Sequence, residues 1–401
     1  MLPDLGKALG FRKDMAANLQ SPTHDPATIV FVIYALGVAG AEVMLLELVK
    51  GLDRGRFRPV IVSLAPRAAL SDAFEAEGAE IHHLDMRHIE EAPLIIFRAW
   101  RLVRRLKPAL LHGVMFYGDL TARILRMFHS TPHVVTALHT TSIGPRRFER
   151  VMGWSDRYTD AVTAVSNAVA RAQVEAGSVS ASKVTVIHNG IDISRFASPN
   201  ETEATRLQAQ LGLTQSDRVL LCVGRLEPVK NHTLLLRAFE HLASEFREWK
   251  LLLVGRGRLE SQLRKLAASL GLEDRVHFTG ELSPVAPAFQ IADAFVLSSN
   301  REGLPIVVLE AMAARLPMVL TSVGGIPEIV EHGVTGLLVP PRDEQALAAA
   351  LRSLFLMSDD QRQAMAAAGR RRVEERFSAQ RMVAATEALY EQVLAPRRLR
   401  V

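Results

Sequence analysis

Ala294-Phe295-Val296-Leu297-Ser298-Ser299-Asn300-Arg301-Glu302-Gly303-Leu304-Pro305-Ile306-Val307-Val308-Leu309-Glu310-Ala311-Met312-Ala313 packs a strand, a turn and a helix into one short run. The apolar residues 294–297 read as a buried strand. Gly303 supplies a flexible turn, and the fixed φ of Pro305 suits a first helical turn. Ile306, Leu309 and Ala313 recur at helical spacing and are predicted to bury one face. Two glutamates frame the helix, Glu302 before it and Glu310 more than a turn inside it. Burying a lone carboxylate is costly, so Glu310 in this apolar setting needs a partner. A pair of ligand hydroxyls, a basic side chain or solvent on a wet helix face each meets that need.

Outward from this unit the same rhythm repeats. Continuous apolar runs at 29–33, 60–64, 110–111, 134–138, 161–165 and 184–187 alternate with helical patterns near 41–53, 69–77, 94–106, 118–129 and 166–176. Unbroken rather than alternating apolar runs mark strands buried on both faces, so the βαβα order predicts a doubly wound parallel sheet. Residues 197–205 are polar and carry Pro199, which reads as a linker. The rhythm then restarts, with strands at 218–223, 251–254, 275–278, 294–297, 318–320 and 336–339. Helices are expected near 232–246, 258–270, 306–315 and 343–356, then at 359–375 and 379–394. The division is a loose extension at 1–27, an α/β domain at 28–196, a second at 206–377, and a closing helix with a basic tail at 378–401. Ligands of such sheets bind beyond the strands' carboxyl ends, so the loops just after strands carry the information.

Composition fits this reading. The chain has 401 residues, 48% hydrophobic and 23% charged, with a formal net charge of +5. That excess favours anionic partners but is too small to call for nucleic acid. The single cysteine, Cys222, sits in an apolar run and can form no internal disulfide, which fits a reducing compartment. No run approaches the ~20 apolar residues of a membrane-spanning helix. Charged residues interrupt the N-terminus where a signal peptide would be apolar, so a cytoplasmic location is expected.

The loops after strands are charged and glycine-rich. Leu36-Gly37-Val38-Ala39-Gly40-Ala41-Glu42 opens a helix whose N-terminus favours an anion, although it lacks the full G-x-G-x-x-G spacing. Val223-Gly224-Arg225-Leu226-Glu227-Pro228-Val229-Lys230-Asn231 places Arg225 and Lys230 beyond one strand end, with Asn231 able to cap the next helix. Such a pair suits a pyrophosphate, Arg as a fork and Lys as a point charge; pairing with Glu227 in solvent is the alternative. Val254-Gly255-Arg256-Gly257-Arg258 adds two arginines. His139 ends a strand as a donor or acceptor candidate, and Ile187-His188-Asn189-Gly190-Ile191-Asp192 turns near the hinge. No metal-ligand spacing, Walker loop or nucleophile elbow occurs, so neither metal nor cofactor is called for. Arginines and Lys107 crowd residues 98–150, facing only Asp119 and Glu149. Arg101, Arg104 and Arg105 share a helix face near Phe97 and Trp100, which suits an anionic membrane surface or a solvated face.

In this order and spacing, these segments resemble the family 4 glycosyltransferases, retaining enzymes of the GT-B fold, over about residues 28–395. Glu302-Gly303-Leu304-Pro305 through Glu310-Ala311-Met312-Ala313 looks like the family's E-x7-E motif. Val165-Ser166, Gly40-Ala41-Glu42, residues 187–192, Val223-Gly224-Arg225 with Lys230, and Val254-Gly255-Arg256-Gly257 support it. The resemblance implies two Rossmann-like domains facing across a cleft, the first for the acceptor and the second for the donor, with the last helix packing back on the first. It assigns Glu310 to ribose hydroxyls, Glu302 to donor-sugar hydroxyls, and Arg225 and Lys230 to the diphosphate. His139 would sit near the donor sugar's 6-hydroxyl. Gly303, Leu304, Ile306 and Val307 would offer backbone amides, and Gly40 and Asn189 join the donor-binding set. Three departures stand out: Ala39 replaces a glycine, His188 a proline, and Arg256 an aspartate.

The activity implied is retaining transfer from a nucleotide-diphosphate sugar, UDP-linked rather than GDP-linked, to a hydroxyl acceptor. The acceptor would be a glycan or lipid-linked sugar of cell-surface polysaccharide synthesis, reached at the inner face of a membrane. A nucleotide-dependent oxidoreductase and a two-domain ligand-binding protein are the competing classes. The missing dinucleotide fingerprint and signal peptide count against them.

Overall fold

The apolar runs pair side by side in two separate parallel sheets, seen in a computed structural model that describes residues 25–128, 132–196 and 201–396. The extension up to residue 24, linker residues 197–200 and the tail at 397–401 lie outside the described residues. The first sheet contains β1 (Ala27–Ile33), β2 (Phe57–Ser63), β3 (Glu80–His83), β4 (Leu110–Val114), β5 (His133–Leu138), β6 (Ala161–Ala164) and β7 (Val184–Val186), in the order β3-β2-β1-β4-β5-β6-β7. The second contains β8 (Arg218–Val223), β9 (Trp249–Val254), β10 (Val276–Gly280), β11 (Ala294–Leu297), β12 (Met318–Thr321) and β13 (Leu337–Val339), ordered β10-β9-β8-β11-β12-β13. Every strand pair is parallel. Both sheets are doubly wound, as expected, and each reverses its strand order once, between β1 and β4 and between β8 and β11. Crevices form at such reversals, because the connections on either side leave in opposite directions.

Three of the elements that the apolar pattern did not show bury very little. Strand β3 reads Glu-Ile-His-His and lies at a sheet edge, with no residue fully buried. Helix Arg146–Ser155 buries only Met152 and Ser155. Helix Glu201–Gln210 occupies part of the stretch read as linker and buries only Leu207. Elements that bury so little impose almost no hydrophobic period.

The helix Ile306–Ala313 departs from the one-face expectation: Val308, Leu309, Glu310, Ala311, Met312 and Ala313 are all buried. Helix Asp359–Arg376 covers its outer side, where the Arg370 guanidinium donates to the Ala313 carbonyl. A helix apolar all round is a core helix.

The chain crosses between the domains twice, and the crossings meet. Ile191 N–H donates to Phe377 O at 3.0 Å and Ala379 N–H to Ile191 O at 2.9 Å. Beyond this junction helix Ala379–Leu394 lies on the first domain. The Asp53 amide donates to Glu387 Oε1 at 2.7 Å, and the Tyr390 hydroxyl meets His112 Nδ1 at 2.5 Å in the buried interior.

The basic stretch 98–150 also needs correction. Arg123 is wholly buried; it forks onto Asp119 at 2.6 and 3.2 Å and donates to Met152 O at 2.6 Å. Arg126 pairs with Asp160 at 3.2 Å. These two arginines are tied inward, so the exposed basic face is narrower than the sequence count implied. No helix among the described residues is long and apolar enough to cross a membrane.

Candidate active site

The second sheet's reversal brings two loops together. The loop after β8 carries Gly224, Arg225 and Lys230; the loop after β11 carries Ser298 to Pro305. They are stitched directly: Asn300 N–H donates to Val229 O at 2.8 Å, and Asn231 Nδ2 donates to Asn300 Oδ1 at 3.1 Å. Ser298 Oγ donates to the carbonyls of Lys230 and Asn231 at 3.0 and 3.1 Å. Asn231 takes a left-handed conformation (φ 51°) and its side chain caps helix His232–Ala243 by accepting from Leu234 N–H at 3.4 Å. The Gly255-Arg256-Gly257 turn is wedged beneath the first loop. A Cβ on Gly257 would stand 2.4 Å from Leu226 O, so only glycine lets the two backbones meet.

Within this frame, Lys230 and Glu302 form an ion pair at 2.6 Å with both side chains mostly buried. Glu302 Oε1 also accepts from Ser299 Oγ at 2.6 Å. The sequence pointed to Glu227 as a solvent partner for the two cations. Glu227 instead pairs with Arg258 at 2.9 Å, because the glycine turn carries Arg258 alongside it. Arg225 is exposed, and its positive charge reaches Glu42 on the first domain's opening helix, where burial raises the carboxyl's pKa.

Glu310 lies one helix face away, 8% exposed. Burial lifts its pKa to about 7, Arg195 attracts the charged form and Glu47 opposes it. The wet-face reading is thereby excluded; the carboxylate is held in a nearly dry site with a cation in range but no hydrogen bond from protein among the described residues. A polar group so placed fits paired hydroxyls from a ligand.

The first domain closes onto this turn. A Cβ on Gly303 would stand 2.0 Å from the His139 carbonyl, which makes glycine obligatory for the approach. Ser166 Oγ donates to Gly303 O at 3.2 Å, and the buried Asn189 donates through Nδ2 to Leu304 O at 2.9 Å. The Gly40 Cα faces Ile306 Cδ1, 3.4 Å from where a Cβ would lie. Ile306 and Val307 are half-buried in the first turn, and Pro305 caps the helix with no side-chain acceptor; the Val308 amide donates to the Pro305 carbonyl at 3.2 Å, which leaves the Ile306 and Val307 amides for a ligand. His139 is half-buried, and burial lowers its pKa to about 4, so the ring is neutral at pH 7. Direct contacts at the domain boundary thus join Gly40 to Ile306, His139 to Gly303 and Asn189 to Leu304, beside the Lys230–Glu302 pair and Arg225, with Glu310 further along the same helix.

Two groups at the cleft were missed. Ser298 and Ser299 were given no role. Glu328 was passed over entirely: its carboxylate accepts from the Asn167 and Ala168 amides, both at 2.9 Å, and lies 3.1 Å from His188 Nε2. Those bonds lower its pKa against the effect of burial. The signal was present, since Gly324-Gly325-Ile326-Pro327-Glu328 follows a strand as the other informative loops do. Among the described residues no group of three or more His, Cys, Asp or Glu could hold a metal ion.

Comparison with known proteins agrees with this fold. The family described as Glycosyltransferase Family 4 matches residues 38–195, and that described as Glycosyl transferases group 1 matches residues 203–372. A D-inositol 3-phosphate glycosyltransferase of Streptomyces scabiei is 30% identical over 371 residues, covering 82% of this chain and 80% of that one. The lipopolysaccharide core biosynthesis mannosyltransferase LpsB of Rhizobium meliloti is 33% identical over 266 residues, covering 63% and 72%. The crystal structure of Anabaena HepE in complex with UDP and glucose superposes with a TM-score of 0.82 at 22% identity, covering 91% of this chain and all of that one, and so shares its fold. The chain belongs to the family 4, group 1 glycosyltransferases and has their GT-B architecture.

Proposed function

We propose that this glycosyltransferase moves a hexosyl group, with retention, from a UDP-sugar to a hydroxyl of a lipid-linked glycan in cell-surface polysaccharide assembly. The observation that carries the reading is the charge arrangement at the β8/β11 reversal. Arg225 and Lys230 leave one strand end, and Glu302 and Glu310 leave its neighbour, opposite a helix N-terminus at Gly40. A diphosphate fits the cations, a ribose fits Glu310, and a sugar hydroxyl fits Glu302. As the sugar–phosphate bond breaks, negative charge grows on the diphosphate, and fixed cations and helix amides stabilise it without a resident metal. The leaving phosphate oxygen takes the acceptor's proton while that hydroxyl attacks from the same face. Closing the two domains over the sugar excludes water, which favours transfer over hydrolysis. UDP as carrier and a polysaccharide destination are supported by HepE, which is described with UDP-glucose, and by the lipopolysaccharide enzyme LpsB.

A peripheral contact with the inner face of an anionic membrane is supported by helix Ala92–Leu106. Leu94 and Phe97 are about half exposed, Phe97 stacks on Trp100 at 5.8 Å, and Arg104 lies 4.8 Å over Trp100. Arg101 and Arg105 are exposed on the same helix. Aromatic and basic side chains combined in this way suit an anionic lipid interface.

The test is nucleoside-diphosphate release from a panel of UDP-glucose, UDP-N-acetylglucosamine and GDP-mannose, with the product's anomeric configuration read by NMR. Release from a UDP-sugar with an α-linked product from an α-linked donor supports the reading; inversion, or no turnover of any nucleotide sugar, overturns it.

A further inference from the structure

Glu302 uses only one of its oxygens within the protein. Oε1 accepts from both Lys230 Nζ and Ser299 Oγ, each at 2.6 Å, and among the described residues Oε2 has no protein partner. Ser299 is fully buried and is itself held: its carbonyl accepts from Thr321 Oγ1 at 2.7 Å, and Thr321 is fully buried at the end of β12. The preceding serine does the complementary work, since Ser298 Oγ pins the backbone carbonyl of Lys230. Two consecutive serines therefore fix the two members of the ion pair, one through its main chain and one through its carboxylate.

We propose that Ser299 is a positioning residue for donor-sugar recognition: with Lys230 it occupies Glu302 Oε1 and turns Oε2 toward a sugar hydroxyl. The inference rests on the donor reading above. Two physical consequences follow from the geometry. A carboxylate held at one oxygen by a buried hydroxyl and an ammonium loses its rotational freedom before the ligand arrives, so the sugar's hydroxyl meets a preorganised acceptor. Lys230 also faces the diphosphate, so the ammonium that reads the leaving group orients the group that reads the sugar. Sugar recognition is then coupled to the presence of the diphosphate, and a free sugar binds poorly.

The experiment compares UDP-glucose and UDP binding by titration calorimetry in the wild type and Ser299→Ala, with monodeoxy UDP-glucose analogues as a third arm. Ser299→Ala removes one hydroxyl and no charge, so a folded protein is expected; its unfolding curve is recorded alongside. The expected result is about a tenfold loss of UDP-glucose affinity with UDP affinity unchanged, and no further loss for the one deoxy analogue that lacks the hydroxyl facing Glu302. Equal losses for UDP and UDP-glucose, no loss for either, or an undiminished effect on every deoxy analogue overturns the positioning role while leaving the donor reading in place. A wild type that binds neither UDP-glucose nor UDP overturns the donor reading, and the inference with it.

Discussion

Replacing Glu310 by glutamine is expected to stabilise the ligand-free protein and to do so only above a defined pH. Burial lifts the Glu310 carboxyl from its ordinary 4.5 to about 7. The difference of about 2.5 units corresponds to about 3 kcal/mol of cost for carrying the ionised form in the fold. Below pH 4.5 the folded and unfolded chains both hold the proton, so no penalty exists. Between 4.5 and 7 the unfolded chain gives up its proton and the folded chain keeps it, so stability falls as pH rises. Above 7 the full penalty is present. Glutamine never ionises and fills nearly the same volume, so Glu310→Gln and wild type should melt together near pH 4.5 and diverge by pH 8. At ~2–4 °C per kcal/mol for a domain of this size, the variant should melt about 6–12 °C higher at pH 8. Thermal denaturation followed by near-ultraviolet circular dichroism from pH 4.5 to 8.5 measures this. A pH-independent offset, or a variant less stable than wild type at pH 8, would refute the reasoning.

Other consequences follow from the closed cleft. Gly303→Ala places a methyl group 2.0 Å from the His139 carbonyl, so the domains must part. Transfer should fall about 100-fold or more, as misplacement of reacting groups by ~1 Å does, while UDP binding by the second domain survives. Steady-state rates beside calorimetry separate the two; unchanged turnover contradicts the contact. Glu328→Gln removes the charge that gathers the Asn167 and Ala168 amides and His188, so the interdomain clasp should loosen. Hydrogen exchange at residues 166–169 should speed up at pH 7. Because the Glu328 pKa is lowered in the fold, the charged form's contribution is present above pH 4.5 and lost as pH falls through its folded value, so variant and wild type should converge in acid. Phe97→Ser with Arg101→Glu should abolish sedimentation with vesicles containing phosphatidylserine and leave UDP binding intact; retained sedimentation would remove helix Ala92–Leu106 from the membrane contact.

The two-sheet architecture was legible because parallel strands buried on both faces must be continuously apolar, and runs such as 29–33 and 219–223 are. The candidate site was legible where chemistry forces residue type: Arg225 and Lys230 beyond a strand end, and Glu310 inside an apolar helix. What escaped was whatever depends on tertiary contact. No spacing rule shows that Lys230 meets Glu302 across two loops, that Arg123 is buried and reaches the Met152 carbonyl, or that Glu328 reaches an amide pair in the other domain. Strand β3 and helix Glu201–Gln210 escaped for the opposite reason, since they bury too little to leave a pattern. His188, where the family resemblance led us to expect proline, gains a meaning only in three dimensions: its ring meets Glu328 and packs edge-on against Phe377 at the domain junction.

Calorimetric titration of UDP and UDP-glucose into the wild type and into the Arg225→Ala/Lys230→Ala double variant tests the donor site most directly. The cations leaving β8 should make the wild type bind both ligands and the double variant lose both about 100-fold or more, with an unchanged circular dichroism spectrum, because two charge-assisted contacts to the diphosphate are removed. Binding of either ligand by the double variant at wild-type affinity would contradict the account.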